Sequence, residues 1–250
     1  MSIINPSIPA NWKGLQSDVA QILSECGLNT EIEKPIRTAR GEATIDVYAK
    51  DPDQVPPNIY LCECKYWNKN IPKDVILSFR TIVSDYGANW GLIISKKGFQ
   101  RGAHEAANFT NLKLLNWEEF QSLFAETWYR EYMIKVLNKE ADHLIEYTEP
   151  INSKIFRKAD TLAPKNLKRF VALRKKYSQL GFLPLFLSNF FFFMQKEVPE
   201  LPLINEYPNL HSEIPDDIML SSSLRGLLDS MIKHIRVAVE EFNDVFKADL

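Results

Sequence analysis

Ile59-Tyr60-Leu61-Cys62-Glu63-Cys64-Lys65-Tyr66 reads as a β-strand, and so does Gly41-Glu42-Ala43-Thr44-Ile45-Asp46-Val47-Tyr48 before it. Side chains alternate faces along a strand. Glu63 and Lys65 therefore share one face, with Cys62 and Cys64 on the other. Two acids and a lysine at the ends of adjacent strands can hold a divalent cation and position a water beside it. Metal-assisted phosphodiester hydrolysis needs such a set of groups.

Working outward, Trp12, Leu15, Val19, Ile22, Leu23 and Cys26 recur at helical spacing, which predicts an amphipathic helix over residues 12–26. Asn11 can cap its start and Gly27 can end it. Residues 30–38 are extended in character, and Arg40-Gly41 turns into the Asp46 strand; Gly41 reads equally as a φ > 0 turn or a plain loop glycine. Proline-rich residues 51–58 form a loop before the Glu63 strand.

A stripe of Ile71, Val75, Ile76, Phe79, Ile82, Val83 and Tyr86 predicts a second helix, closed by Gly87. Trp90 to Ser95 is a short, continuously apolar strand, as expected where both faces are covered. A helix near residues 100–109, a strand over 112–115 and a helix over 117–127 follow. The first three strands can pair as an antiparallel meander, and the strand–helix–strand repeats suggest parallel pairing. The expected fold is α/β, a mixed central sheet flanked by helices in an αβββαβ order. From about residue 126 the strand signals fade. Helical stripes, interrupted by Pro150, Pro164, Pro184 and the loop at 198–202, predict a C-terminal all-α domain. The expected boundary divides residues 1–125 from 126–250.

The 250 residues carry a formal net charge of −2, so any nucleic-acid surface must come from local clustering. Three cysteines make no even framework and no CxxC pair. Buried free thiols are expected at Cys26, Cys62 and Cys64, rather than metal ligands, as suits a cytoplasmic protein. The four histidines, His104, His143, His211 and His234, show no metal-ligand spacing. Met1 to Ala10 lacks a signal-peptide core. Residues 180–194 are nearly all apolar but too short for a spanning helix, and they include Pro184 and Asn189. They read as a buried core helix or a partner-facing surface, with peripheral membrane contact through Phe182 to Met194 the weaker alternative.

A scissile phosphate is anionic, so its hydrolysis calls for charge neutralisation while a nucleophile is delivered. Asp46 and Glu63 would hold Mg²⁺, a hard ion that keeps several waters, with the Cys64 carbonyl a further ligand. Lys65 could orient or help deprotonate the attacking water, or stabilise charge on the phosphorane. On these residues the segment at about 12–124 resembles the catalytic domain of Mrr-like restriction endonucleases, in the PD-(D/E)xK nuclease superfamily. The matching stretches are Leu15 to Leu23, Gly41 to Val47, Cys62-Glu63-Cys64-Lys65, Ile93 to Phe99 with Ala103 to Ala107, and Asn111 to Leu115.

The resemblance implies that Asp46 and Glu63 bind Mg²⁺ (or Mn²⁺) and that Lys65 is the catalytic lysine. It implies a DNA endonuclease of restriction or anti-phage defence, cutting double-stranded DNA as a homodimer or within a larger complex. Members often carry a glutamate on the first helix facing the metal; Gln16 occupies that position here and adds no charge. The alternative class is a non-catalytic module that keeps the nuclease fold and binds DNA or a partner subunit.

Two basic groups could contact nucleic acid. Lys96, Lys97 and Arg101 follow the Trp90 strand and could line a DNA path, or form a lysine-rich turn. On a helix from Lys165, the residues Lys165, Lys168, Arg169, Lys175 and Lys176 share one face. Leu167, Phe170, Val171 and Tyr177 lie opposite, with Arg174 an exception. This face could meet phosphates without reading sequence, or simply be solvated.

Overall fold

A computed structural model describes residues 3–210 and 213–247. The chain divides into two compact units, residues 7–131 and residues 3–6 with 132–247.

The first unit opens with α1 (Trp12–Glu25), whose first turn is capped by the Gly14 N–H donating to Asn11 Oδ1 at 2.9 Å. Strands β1 (Asn29–Thr38), β2 (Gly41–Lys50) and β3 (Ile59–Lys65) form the antiparallel meander. Then come α2 (Lys73–Tyr86), β4 (Trp90–Ser95), α3 (Arg101–Ala107), β5 (Leu112–Asn116) and α4 (Trp117–Trp128). The sheet order is β1-β2-β3-β4-β5, with β3, β4 and β5 parallel. The α/β reading, the order of elements and the pairing directions all hold.

The second helix starts later than its apolar stripe suggests. Pro72 is the N-cap, and Ile71 forms an isolated bridge with Phe99. Proline favours an extended residue before it, so Ile71 is held out of the helix. Gly87 ends α2 at φ +77. One core layer packs Ile45, Leu61, Ile76, Phe79, Val83 and Ile93 between the sheet and α2 with α3. Gly91 lets the sheet and α2 approach closely: a Cβ there would lie 2.4 Å from a Leu112 methyl and 2.7 Å from a Val83 methyl, so a larger residue would force those side chains to shift.

Cys26, Cys62 and Cys64 are free and buried. Burial pushes the Cys26 thiol up to about 12, and the Cys62 and Cys64 thiols up as well. None of the three should react with iodoacetamide in the native protein, and all three should react after denaturation; mass spectrometry counts the adducts.

The second unit contains α5 (Ile134–Thr148), α6 (Ser153–Ala159), α7 (Pro164–Ser188), α8 (Phe190–Met194), α9 (Asp216–Met219) and α10 (Leu224–Lys247). A π-helical turn, Tyr129–Met133, precedes α5 in the chain. Helices α5, α7 and α10 pack on one another, with the rings of Tyr147 and Phe170 both in contact with Phe242. The N-terminal residues belong to this unit: Leu224 and Arg225 donate their N–H groups to the Ile3 and Ile4 carbonyls.

Three details of the helical reading need correction. Pro184 does not interrupt a helix but sits inside α7, whose packing against α5 and α10 outweighs the one hydrogen bond that proline removes. Val171 is 59% exposed, because the buried stripe of α7 runs through Phe170, Leu173 and Tyr177. The apolar run is divided: Leu180, Leu183, Leu187 and Phe190 are buried, while Phe182, Leu185, Phe191, Phe192 and Phe193 are exposed. Among the described residues, no helix is long and apolar enough to cross a membrane.

Candidate active site

The antiparallel ladder between β2 and β3 ends at the pair Val47–Cys62. Beyond it the Cys64 N–H donates to Asp46 Oδ2 at 2.7 Å. A side chain thus takes the backbone donor at the point where the ladder stops. On the other flank, β1 is irregular opposite Asp46. Glu33 stands at φ +51 between the pairs Ile32–Val47 and Lys34–Ile45. Left-handed backbone at a non-glycine residue is strained and collects around functional positions.

Gln16 comes from α1 and is 2% exposed. Its Nε2 donates to Asp46 Oδ1 at 2.9 Å. Both Asp46 oxygens are therefore engaged, and the carboxylate is oriented from two sides. Gln16 reaches this position because it borders the apolar side of α1, next to buried Leu15 and Val19.

Glu63 and Lys65 form a close ion pair on the same face of β3, each with 19% of its side chain exposed. Burial, and then the charge of Asp46, raise the Glu63 carboxyl above the usual carboxylate range, against the pull of Lys65. Two half-buried acids that repel each other through space are a donor set that a cation would relieve. Both offer hard oxygens, and a magnesium-type ion commonly takes only one or two carboxylates and leaves the rest to water and phosphate. The residues present therefore fit such an ion. Among the described residues, no group of three or more His, Cys, Asp or Glu side chains is arranged to hold a metal.

A cleft of about 370 Å³ opens on this face. Glu63, Lys65, Thr44, Trp67, Asp74 and Ser78 are on its wall, and Asp46, Cys64 and Gln16 are not. Trp67, Asp74 and Ser78 are absent from the sequence reading. The parity of 63, 65 and 67 could have signalled Trp67. Asp74 reads from sequence only as an acid in the first turn of a helix, where it suits the helix dipole.

Lys96 and Lys97 line a separate cleft of about 290 Å³, with Tyr66, Ser95, Asn116 and Trp117. The Lys96 N–H donates to the Lys65 carbonyl at 3.0 Å, so this turn begins beside the end of β3. Arg101 instead pairs along α3 with Glu105 at 3.2 Å and lines neither cleft.

In the helical unit, Lys165, Lys168 and Arg169 are exposed on α7. Lys176 is occupied by Glu241 at 2.9 Å. Arg174 lies over the Phe156 ring at 4.2 Å and donates to the Glu149 carbonyl, which explains its place off the basic face. His234 pairs with Asp217 and His104 packs on Phe99. His211 lies outside the described residues.

Residues 10–124, just under half of the chain, match the family model Mrr_cat, a restriction endonuclease domain. Domains of this kind generally use divalent metals. No curated protein matches the chain. Among solved structures, the one described as "Crystal Structure of Protein of Unknown Function AF1548" is 21% identical. The match covers 67% of this chain and 98% of that chain, with a TM-score of 0.40.

Proposed function

From a restriction-endonuclease domain of the Mrr_cat type at residues 10–124, we propose a Mg²⁺-dependent DNA endonuclease that hydrolyses phosphodiester bonds. The observation that carries this reading is the fork between β2 and β3, where Asp46 is oriented by Gln16 and the Cys64 amide beside the Glu63–Lys65 pair. Asp46, Glu63 and the Cys64 carbonyl would hold the ion. When bound, the ion supplies positive charge against the phosphate and favours ionisation of a water.

The chain's own groups do the rest. Gln16 fixes Asp46 by donating to Oδ1, which leaves its amide oxygen as a neutral acceptor. Lys65 donates to Glu63, and its remaining N–H donors can hold the attacking water or the developing oxyanion. Lys96 and Lys97, on the neighbouring cleft, would contact the backbone of the bound strand. The exposed Lys165, Lys168 and Arg169 of the helical unit would add contacts to phosphates.

The role proposed for the whole is restriction or anti-phage defence in the cytoplasm, by a homodimer or a subunit of a larger complex. Supercoiled plasmid tests the central claim. Nicking should require Mg²⁺ or Mn²⁺ and vanish with chelator. No nicking with either ion would remove the assignment. For the helical unit, the double charge reversal Lys168→Glu with Arg169→Glu should lower the slope of log K against log salt by roughly 2, about 0.9 for each phosphate no longer neutralised. An unchanged slope would return this face to solvent.

The second reading is a non-catalytic module that binds DNA or a partner. Its support is the amide at Gln16, which leaves two carboxylates where a third could stand. Titration calorimetry separates the two readings, since a binding module need show no Mg²⁺ or Mn²⁺ uptake that depends on Asp46 and Glu63.

A further inference from the structure

Trp67 lies two residues beyond Lys65 and lines the same cleft as Glu63 and Lys65. It is 37% exposed. Two ammonium groups attend its ring: Lys65 Nζ at 5.7 Å and Lys69 Nζ at 5.6 Å from the centroid. The segment that presents the ring is anchored through its alternate residues. Tyr66 donates its hydroxyl to the Pro9 and Ala10 carbonyls at 2.9 and 3.0 Å. Asn68 Oδ1 accepts from Lys96 Nζ at 2.9 Å. The backbone that carries the indole is thus tethered through the residues on both sides of it, and a cation lies near the ring in each direction along the chain.

An indole presented in this way beside a phosphodiester site matches the chemistry of one nucleotide. The base offers a π-face for the ring, and the phosphates on either side of it offer charge to Lys65 and Lys69. Stacking on a protein aromatic requires a base that is not stacked in a duplex. A lone exposed aromatic residue would be unremarkable. Here the ring shares a wall with the acid–lysine pair, and anchoring lowers the entropic cost of using it.

We propose that Trp67 stacks an unpaired nucleobase next to the Glu63–Lys65 cleft, so that the strand bound there is opened at one nucleotide. This inference rests on the nuclease reading, and it assigns the substrate class: a single strand, or a duplex that is frayed or flipped at that base.

The test is binding in chelator, where no strand is cut. The probes are a thymidine homopolymer of about 12 nucleotides and a blunt duplex of the same length, each labelled for anisotropy. Wild type should bind the single strand, and its tryptophan emission should fall on saturation. Trp67→Ala should weaken single-strand binding roughly ten-fold and leave duplex binding within two-fold or so. Trp67→Phe should restore most of the affinity while losing the emission change. The proposal is overturned if wild type does not bind the single strand, or if saturation leaves the emission unchanged. It is equally overturned if Trp67→Ala changes neither affinity or weakens both equally, as a ring that merely shields its two lysines would. The two readings fail separately: plasmid nicking with an indifferent Trp67 sinks stacking alone, and stacking without metal-dependent nicking sinks the nuclease alone.

Discussion

Asp46→Ala should lower Mg²⁺-dependent plasmid nicking by at least about 10³-fold, and Lys65→Ala by roughly 10²–10³-fold. The losses should differ in kind. On the proposed reading Asp46 would offer one of two carboxylates to the ion, so its removal should abolish metal uptake along with turnover. Lys65 is no carboxylate ligand, so Lys65→Ala should keep metal uptake and lose the chemical step. Asp46→Ala also strips the Gln16 amide and the Cys64 N–H of their shared acceptor. Each orphaned buried donor costs about 1–3 kcal/mol. Asp46→Asn is therefore the cleaner variant: it keeps an acceptor oxygen and removes the charge. Thermal melts would confirm that it folds, single-turnover nicking gives the rate, and calorimetry gives the metal affinity. If Asp46→Asn and Lys65→Ala nick as wild type does, the site is not where we place it.

Gln16→Glu should produce the largest change in stability. The amide donor lies 2.9 Å from Asp46 Oδ1 and is almost fully buried. A glutamate there replaces a hydrogen bond with a second carboxylate against the first, and an uncompensated buried charge costs roughly 3–5 kcal/mol. In chelator the melt should fall by roughly 2–4 °C for each kcal/mol lost. Divalent ions should reverse much of this, because a third carboxylate tightens the site. Ion-dependent stabilisation should therefore be larger in Gln16→Glu than in wild type. Loss of stability with no recovery in Mg²⁺ or Mn²⁺ would mean that Asp46 does not face a metal. Gln16→Ala is the control: it removes the donor without adding charge and should show no gain in response to the ions.

Much of the first unit was legible because its signals are local. Alternation placed Cys62 and Cys64 in the core and Glu63 with Lys65 on the other face. The uninterrupted apolar run at residues 90–95 announced a strand covered on both sides, and Asn11 and Gly27 punctuated α1. The misreadings arose where tertiary packing overrode a local rule. Pro184 should break a helix, but α7 is held by its neighbours on both sides of that residue. Val171 fell on the apolar side of an ideal wheel, while the true contact stripe is narrower.

Local pattern along the chain was enough for the order and direction of the strands, the face on which the acid and lysine stand, and the presence of a helical second unit. The faces and the helices follow from a period of two or of 3.6 along one element, and the strand directions from the order of elements. Packing between elements set the Gln16–Asp46 hydrogen bond and the point at which the β2–β3 ladder stops. It also decided that Trp67 and Asp74 share the Glu63–Lys65 cleft while Lys96 and Lys97 line another. Those facts join residues that are distant in sequence or lie past the end of a regular strand. Periodicity gives the direction of a side chain along its own element; the distance across to another element is set by packing.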